Sequence, residues 1–247
     1  MGNIKQMYRK FLTIFILSFL SISLFAKEFP ICKDYYSIKE GEKTQKEKFL
    51  EKVLKSDPQN IECMLKLASV YLRTGKVSQG FDLIAVAYKQ DPKFVKNAKI
   101  SQILDLALRM SSLRAKANKT KDYTIWNELA DTYFDIGIFK EASIAYEHSL
   151  ELNPKQIYKR ILLAISYGNL EKYSKASKTL QKVLDMQKNN FYANYYYAKL
   201  LKNEFEDRKW ISYMKTAKKL INSKMAQFNS EQEREYIKED IESELKD

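Results

Sequence analysis

The chain has 247 residues and a formal net charge of +12, with 43 Lys and Arg against 31 Asp and Glu. Six Gly and four Pro are too few for an all-β protein with many tight turns or for a Pro/Gly-rich linker, whereas abundant Ala, Leu, Lys and Glu favour helices. One His and two Cys cannot supply the close ligands of a zinc site, and no Ser/His/Asp spacing, GxSxG elbow, phosphate loop or HExxH occurs. No catalytic residue, metal or cofactor is therefore expected, and the chain is read as a non-enzyme.

The N-terminus carries Lys5, Arg9 and Lys10, then the uncharged run 11–25, "FLTIFILSFLSISLF", then Ala26. A cationic leader, an apolar core and a small residue at the end describe a secretory signal peptide over 1–26. Its apolar run is short of the roughly 20 residues that span a bilayer. Leu24 is larger than the small residue preferred two places before cleavage, so retention as an N-terminal anchor is the alternative. Both outcomes export everything from Lys27 onward, and a periplasmic location is expected. Cys32 follows "KEFPI" rather than the end of the apolar run, which argues against a lipid anchor. In an oxidising compartment Cys32 and Cys63 read first as a disulfide. It would close a loop of about 30 residues and stabilise by roughly 3–4 kcal/mol. His148 is read as an exposed helix residue.

Segment 27–60 ends in "QKEKFLEKVLKS", 45–56, a capping helix stopped before Pro58. In 61–94, Met64, Leu67, Ala68 and Tyr71 mark one helix face, Gly75 a turn, and Val77, Gly80, Ile84 and Ala87 a second helix closed by Pro92. Segment 95–122 is a shortened helical pair with the stripe Ile100, Ile103, Leu104 and Ala107; Ser111 or Ser112 is expected to cap its second helix. In 123–156, Trp126, Leu129, Ala130 and Tyr133 precede Gly137, then Phe139, Ala142, Tyr146 and Ser149 precede Pro154. In 157–190 the pattern recurs as Leu163, Ala164, Tyr167, Tyr173, Ala176 and Leu180. Segment 191–225 is diverged: Tyr197, Ala198 and Leu201 fit, but Trp210 fills the slot where alanine is usual. Ser230 and Glu233 form a capping box for a terminal helix in 226–247, with the stripe Ile237, Ile241 and Leu245 and an acidic outer face.

The spacing W-x2-L-A-x2-Y, a turn Gly, F-x2-A-x3-Y and a closing Pro, recurring at 34 residues, resembles the tetratricopeptide repeat. The resemblance implies an all-α fold: a TPR-type solenoid of antiparallel helix pairs, wound as a right-handed superhelix over 61–225 with capping helices at both ends. It also implies that the first helix of each pair lines a concave surface where ligands lie. The carboxylate clamp of chaperone-binding members needs Lys and Asn at positions that here hold Leu65, Ser69, Asn127, Asp131, Ile161 and Ile165, so that clamp is absent.

Placing 191–203 at 100° intervals assigns Asn194, Tyr197, Ala198 and Leu201 to the core and turns Tyr192, Tyr195, Tyr196, Lys199 and Lys202 toward the groove. The helix before it presents Tyr158, Ile161, Leu162 and Ile165, and the one before that Asn127, Glu128, Asp131, Phe134 and Asp135. The groove is thus expected to run from acidic, through apolar, to tyrosine and lysine. The alternative is that the final helix folds over these rings and buries them. Basic residues cluster in 95–122 and 199–224, whereas the tail from Ser230 is acidic.

Two functions compete. The first is an exported scaffold that binds a segment of another cell-envelope protein in its groove and helps assemble or localise a complex. The second is a basic-surface module that binds peptidoglycan or anionic lipid, a peripheral membrane or cell-wall contact. Nucleic acid is not an expected partner.

Overall fold

A computed structural model describes residues 43–98, 100–223, 228 and 230–246. The expected signal peptide and Cys32 lie outside the described residues. Among those described there are twelve helices and no strand, and no helix is long and apolar enough to cross a membrane. The chain divides into two compact units, parting between Lys121 and Asp122.

The N-terminal unit holds α1 (Lys43–Ser56), α2 (Ile61–Arg73), α3 (Val77–Gln90), α4 (Pro92–Asn97) and α5 (Ser101–Ala117). Asn60 caps α2 by accepting the Cys63 N–H at 3.0 Å, which satisfies one of the amides a helix start leaves unpaired. Leu50 of α1 then packs with Cys63, Leu67 and Val70 of α2. Gly80 lets α3 cross α2 closely, since a Cβ there would lie 2.9 Å from Leu72 Cγ and 3.1 Å from the Ala68 carbonyl oxygen.

Two expectations change in this unit. Pro92 does not only close a repeat. It is the first residue of α4, where its missing N–H costs nothing, with Asp91 capping the Phe94 N–H at 2.9 Å. Nor does Ser111 or Ser112 cap a helix. α5 runs straight through both, because Met110, Leu113 and Ala117 extend the buried stripe of Ile103, Leu104 and Ala107 against α3. Continuous apolar packing outweighs two weak local capping signals.

The C-terminal unit holds α6 (Tyr123–Asp135), α7 (Phe139–Leu152), α8 (Ile157–Asn169), α9 (Tyr173–Met186), α10 (Phe191–Glu204), α11 (Trp210–Leu220) and α12 (Glu231–Glu244). α6 pairs with α7, α8 with α9 and α10 with α11, and each pair packs on the next. Ala130, Ala142, Ala164 and Ala176 are buried at the crossings, where a small side chain lets two helix backbones approach. Trp210 is too large for that slot, and α11 begins at Trp210 itself, three residues later in the repeat than α7 and α9 do. The indole sits half-exposed beneath Lys202, whose Nζ is 4.5 Å from the ring.

A tyrosine at one repeat position ties two of the pairs to the helix before them. Tyr167 donates its hydroxyl hydrogen to Glu147 of α7, and Tyr71 donates to Glu51 of α1 at 2.8 Å. Burial first, then the Glu51 acceptor, pushes the Tyr71 hydroxyl up to about 12. The same 20-residue separation in both bonds places α1 in register as the second helix of a preceding repeat.

The turn within each pair needs a left-handed residue. Gly75 and Gly137 adopt φ of 81° and 76°, but Glu171, 34 residues after Gly137, adopts φ 61°. A side chain in that region costs roughly 1–2 kcal/mol, partly offset by the extra unfolded-state entropy of glycine. Glu171→Gly is therefore expected to stabilise the C-terminal unit by about 0.5–1 kcal/mol, read as a higher urea midpoint at unchanged slope.

Candidate functional site

The candidate surface is built on α8, α10 and α12. Asn190 starts α10 by accepting the Ala193 N–H at 2.9 Å, and Ser230 starts α12 by accepting the Glu233 N–H at 3.1 Å. In α10 the core positions Asn194, Tyr197, Ala198 and Leu201 are all buried. In α12, Ile237 and Ile241 stand one turn apart and pack with Phe191, Tyr195 and Ala198 of α10 and with Met214 and Ala217 of α11.

This packing corrects part of the expected groove. Tyr195 is only 2% exposed and Lys199 is buried with it, because α12 lies over the face they present. The Tyr195 hydroxyl donates to Asp240 Oδ2 at 2.8 Å. Lys199 Nζ donates to both Asp240 oxygens at 3.0 Å and to Glu244 Oε1 at 2.6 Å. Lys202 Nζ pairs with Glu244 Oε2 at 2.7 Å. The terminal helix thus turns Asp240 and Glu244 inward, so its acidic residues do not all form an outer face.

Ionisation follows this arrangement. Burial alone would depress the Lys199 ammonium, but hydrogen bonds and charge from Glu244 and Asp240 hold it above its ordinary range. Burial alone would raise the Glu244 carboxyl, but Lys199 and Lys202 hold it below the ordinary carboxylate range. The Tyr195 hydroxyl is pushed up by burial and then by the Asp240 charge.

Ile161 is also buried, at 2%. It stands 34 residues before Tyr195, and α10 packs on α8. Neither Ile161 nor Tyr195 is therefore a free contact residue.

The remaining expected residues keep exposed area. Tyr158 is 55% exposed, and Leu162, Ile165, Tyr192, Tyr196 and Lys202 are partly exposed. Tyr192 and Tyr196 stack with centroids 6.2 Å apart, and Tyr196 meets the edge of Tyr195 at 5.2 Å. The Tyr158 hydroxyl is raised by burial and then by the charges of Asp131, Glu233 and Asp135.

Internal pairing takes up part of the expected charge gradient, while Glu128 and Asp135 of α6 stay exposed. Asp131 accepts the Tyr146 hydroxyl at 2.8 Å and binds Lys159 Nζ at 2.7 and 2.5 Å. With Lys199 and Lys202 committed to α12, what stays accessible among the expected residues of α8 and α10 is mainly aromatic and apolar. Cys63, the described member of the expected disulfide, is fully buried. Among the described residues no group of His, Cys, Asp and Glu could hold a metal.

Asp240 and Glu244 were not singled out from the sequence. They lie three residues beyond Ile237 and Ile241, about 60° to one side of the apolar stripe, which is where carboxylates flanking a packed face would be sought.

Comparison with known families identifies tetratricopeptide repeats at residues 123–156 and 160–190. The Peroxisomal targeting signal receptor of Saccharomyces cerevisiae is 27% identical over 189 residues, covering 57% of this chain and 31% of that protein. The chain thus spans about a third of the length of that relative. Solved structures of MamA are also similar. One, from AMB-1, is 18% identical with TM-score 0.40 and covers 74% of this chain and 85% of its own. Another, from MSR-1, is 18% identical with TM-score 0.39 and covers 73% and 87%. Repeats of this kind serve protein–protein interaction through side chains displayed on paired helices. The chain thus contains two matched tetratricopeptide repeats, at 123–156 and 160–190, within helix pairs built in the same register.

Proposed function

We propose that the chain is an exported, non-catalytic scaffold that binds a segment of another cell-envelope protein along the accessible strip of α8 and α10. The observation that carries this reading is the exposure of Tyr158 at 55% beside the partly exposed Leu162, Ile165, Tyr192 and Tyr196. Rigid tyrosines give contact area at low entropic cost, and their hydroxyls can bond an extended backbone. The match to a targeting signal receptor fits a surface that takes a peptide segment. The apolar leader at 11–25 is the ground for placing this activity in the envelope.

Tyr158 is the residue to test. A photo-crosslinking amino acid at position 162, partly exposed one turn from Tyr158, is expected to capture one protein in intact envelopes. Tyr158→Glu is expected to abolish that capture while changing stability by no more than about 0.5 kcal/mol, as for an exposed substitution. Capture that persists in Tyr158→Glu at unchanged yield would remove the strip from the binding surface.

A second reading has its own observation. On and beside α11, Lys209, Lys215, Lys218 and Lys219 are exposed, together with Phe205 and Ile211, a combination suited to an anionic surface. Salt separates the two readings. Attachment to anionic vesicles through these lysines should fall steeply with ionic strength, whereas capture through the α8–α10 strip should persist.

A further inference from the structure

α12 occupies the place where the first helix of another repeat would stand. Its seat has an apolar floor, Phe191, Ala198, Met214 and Ala217, and a cationic rim, Lys199 and Lys202. The seat therefore selects a particular occupant: a helix with apolar residues one turn apart and carboxylates three positions beyond each. α12 meets that rule with Ile237, Ile241, Asp240 and Glu244, yet it is lightly held. Only Ile237 and Ile241 are buried in it, against Leu129, Ala130, Tyr133 and Phe134 in α6. Among the described residues no second helix pairs with it, and part of its attachment is charge pairing, with side chains 8% to 30% exposed.

We propose that this seat is a docking site for an acidic amphipathic helix of a partner protein, with α12 as the resident occupant that must leave for the partner to bind. The inference deepens the scaffold reading and rests on it, but uses the covered seat rather than the exposed strip. A second copy of the chain is disfavoured as the occupant. Its α12 is identical, whereas the resident α12 is tethered ten residues from α11 and competes at a high effective concentration. A partner helix that adds apolar contacts or carboxylates gains the advantage that an identical helix lacks. The resident helix sets the threshold, since affinity falls by the fraction of time the seat is open.

The test uses the full chain and a fluorescein-labelled synthetic peptide of residues 230–246. Ile237→Asp with Ile241→Asp, made in the full chain, should release α12 and leave the seat empty. The peptide is expected to bind this variant at least about tenfold more tightly than wild type. Adding Lys199→Glu should abolish binding, as should placing Asp240→Lys and Glu244→Lys in the peptide. No binding by a released variant whose helical signal and melting remain intact would overturn the proposal. A wild-type chain that forms dimers by exchanging α12 would also overturn it, by making a second copy the occupant. If the released variant fails to fold, hydrogen exchange on the wild type decides: α12 amides are expected to exchange faster than those of α10. Exchange of α12 only on global unfolding would make it an inseparable part of the core. Crosslinking through position 162 reads the exposed strip without requiring α12 to move, so the two readings can fail separately.

Discussion

Ile161→Glu is expected to destabilise the C-terminal unit by at least about 4 kcal/mol, a large part of the roughly 5–15 kcal/mol that holds a domain folded. Two losses combine. The apolar side chain is 2% exposed, so its removal forfeits burial and leaves a gap. The carboxylate that replaces it has no cation assigned to it, and an unpaired charge in such a site carries several kcal/mol of desolvation. From helix phase alone, residue 161 belongs to an open groove and the same change should spare the fold. Ile165→Glu, one turn on at a partly exposed position, provides the contrast, with an expected loss of about 1 kcal/mol. Urea titration followed by circular dichroism separates them. An Ile161→Glu chain that melts like wild type would return residue 161 to the accessible strip.

Lys199→Met is expected to lower stability by about 2–3 kcal/mol near neutral pH, somewhat less than the loss of one partner from a fully buried pair. The discount reflects Asp240 and Glu244, whose side chains are 14% and 17% exposed and keep some water. Lys202 stays 2.7 Å from Glu244 and compensates in part. The effect depends on pH at both ends. Glu244 has a depressed folded pKa, so its contribution is complete above the unfolded value of 4.5 and is lost as pH falls through the folded value. Lys199 has a raised folded pKa, so its contribution is complete below 10.5 and is lost as pH rises through the folded value. The gap between wild type and Lys199→Met should thus be widest between those limits and should narrow in acid and in strong alkali. A gap that stays constant as pH falls well below 4.5 would mean that the carboxylates of α12 do not depend on this lysine.

The parts of this protein legible from sequence are those set by short-range geometry. The 34-residue recurrence, the alanines at 130, 142, 164 and 176, the serine cap at 230, and the glycines at 75 and 137 each act over a short stretch of chain. Helix phase also assigns Asn194, Tyr197, Ala198 and Leu201 to the core, because a helix's packed stripe follows from its own repeat. Local signals fail where packing over a longer stretch outweighs them, as at Ser111 and Ser112 inside α5. They fail again where a side chain is too large for its slot, as at Trp210. What only the tertiary structure decides is which helix faces remain open. Tyr195 and Lys199 read as groove residues because nothing within α10 covers them; Asp240 and Glu244, 41 and 45 residues from Lys199, do. Periodicity fixes the direction of a side chain relative to its own helix axis. Whether water or another helix lies in that direction depends on where a distant segment lowers its free energy by burying its apolar stripe, here Ile237 and Ile241 of α12 against α10 and α11.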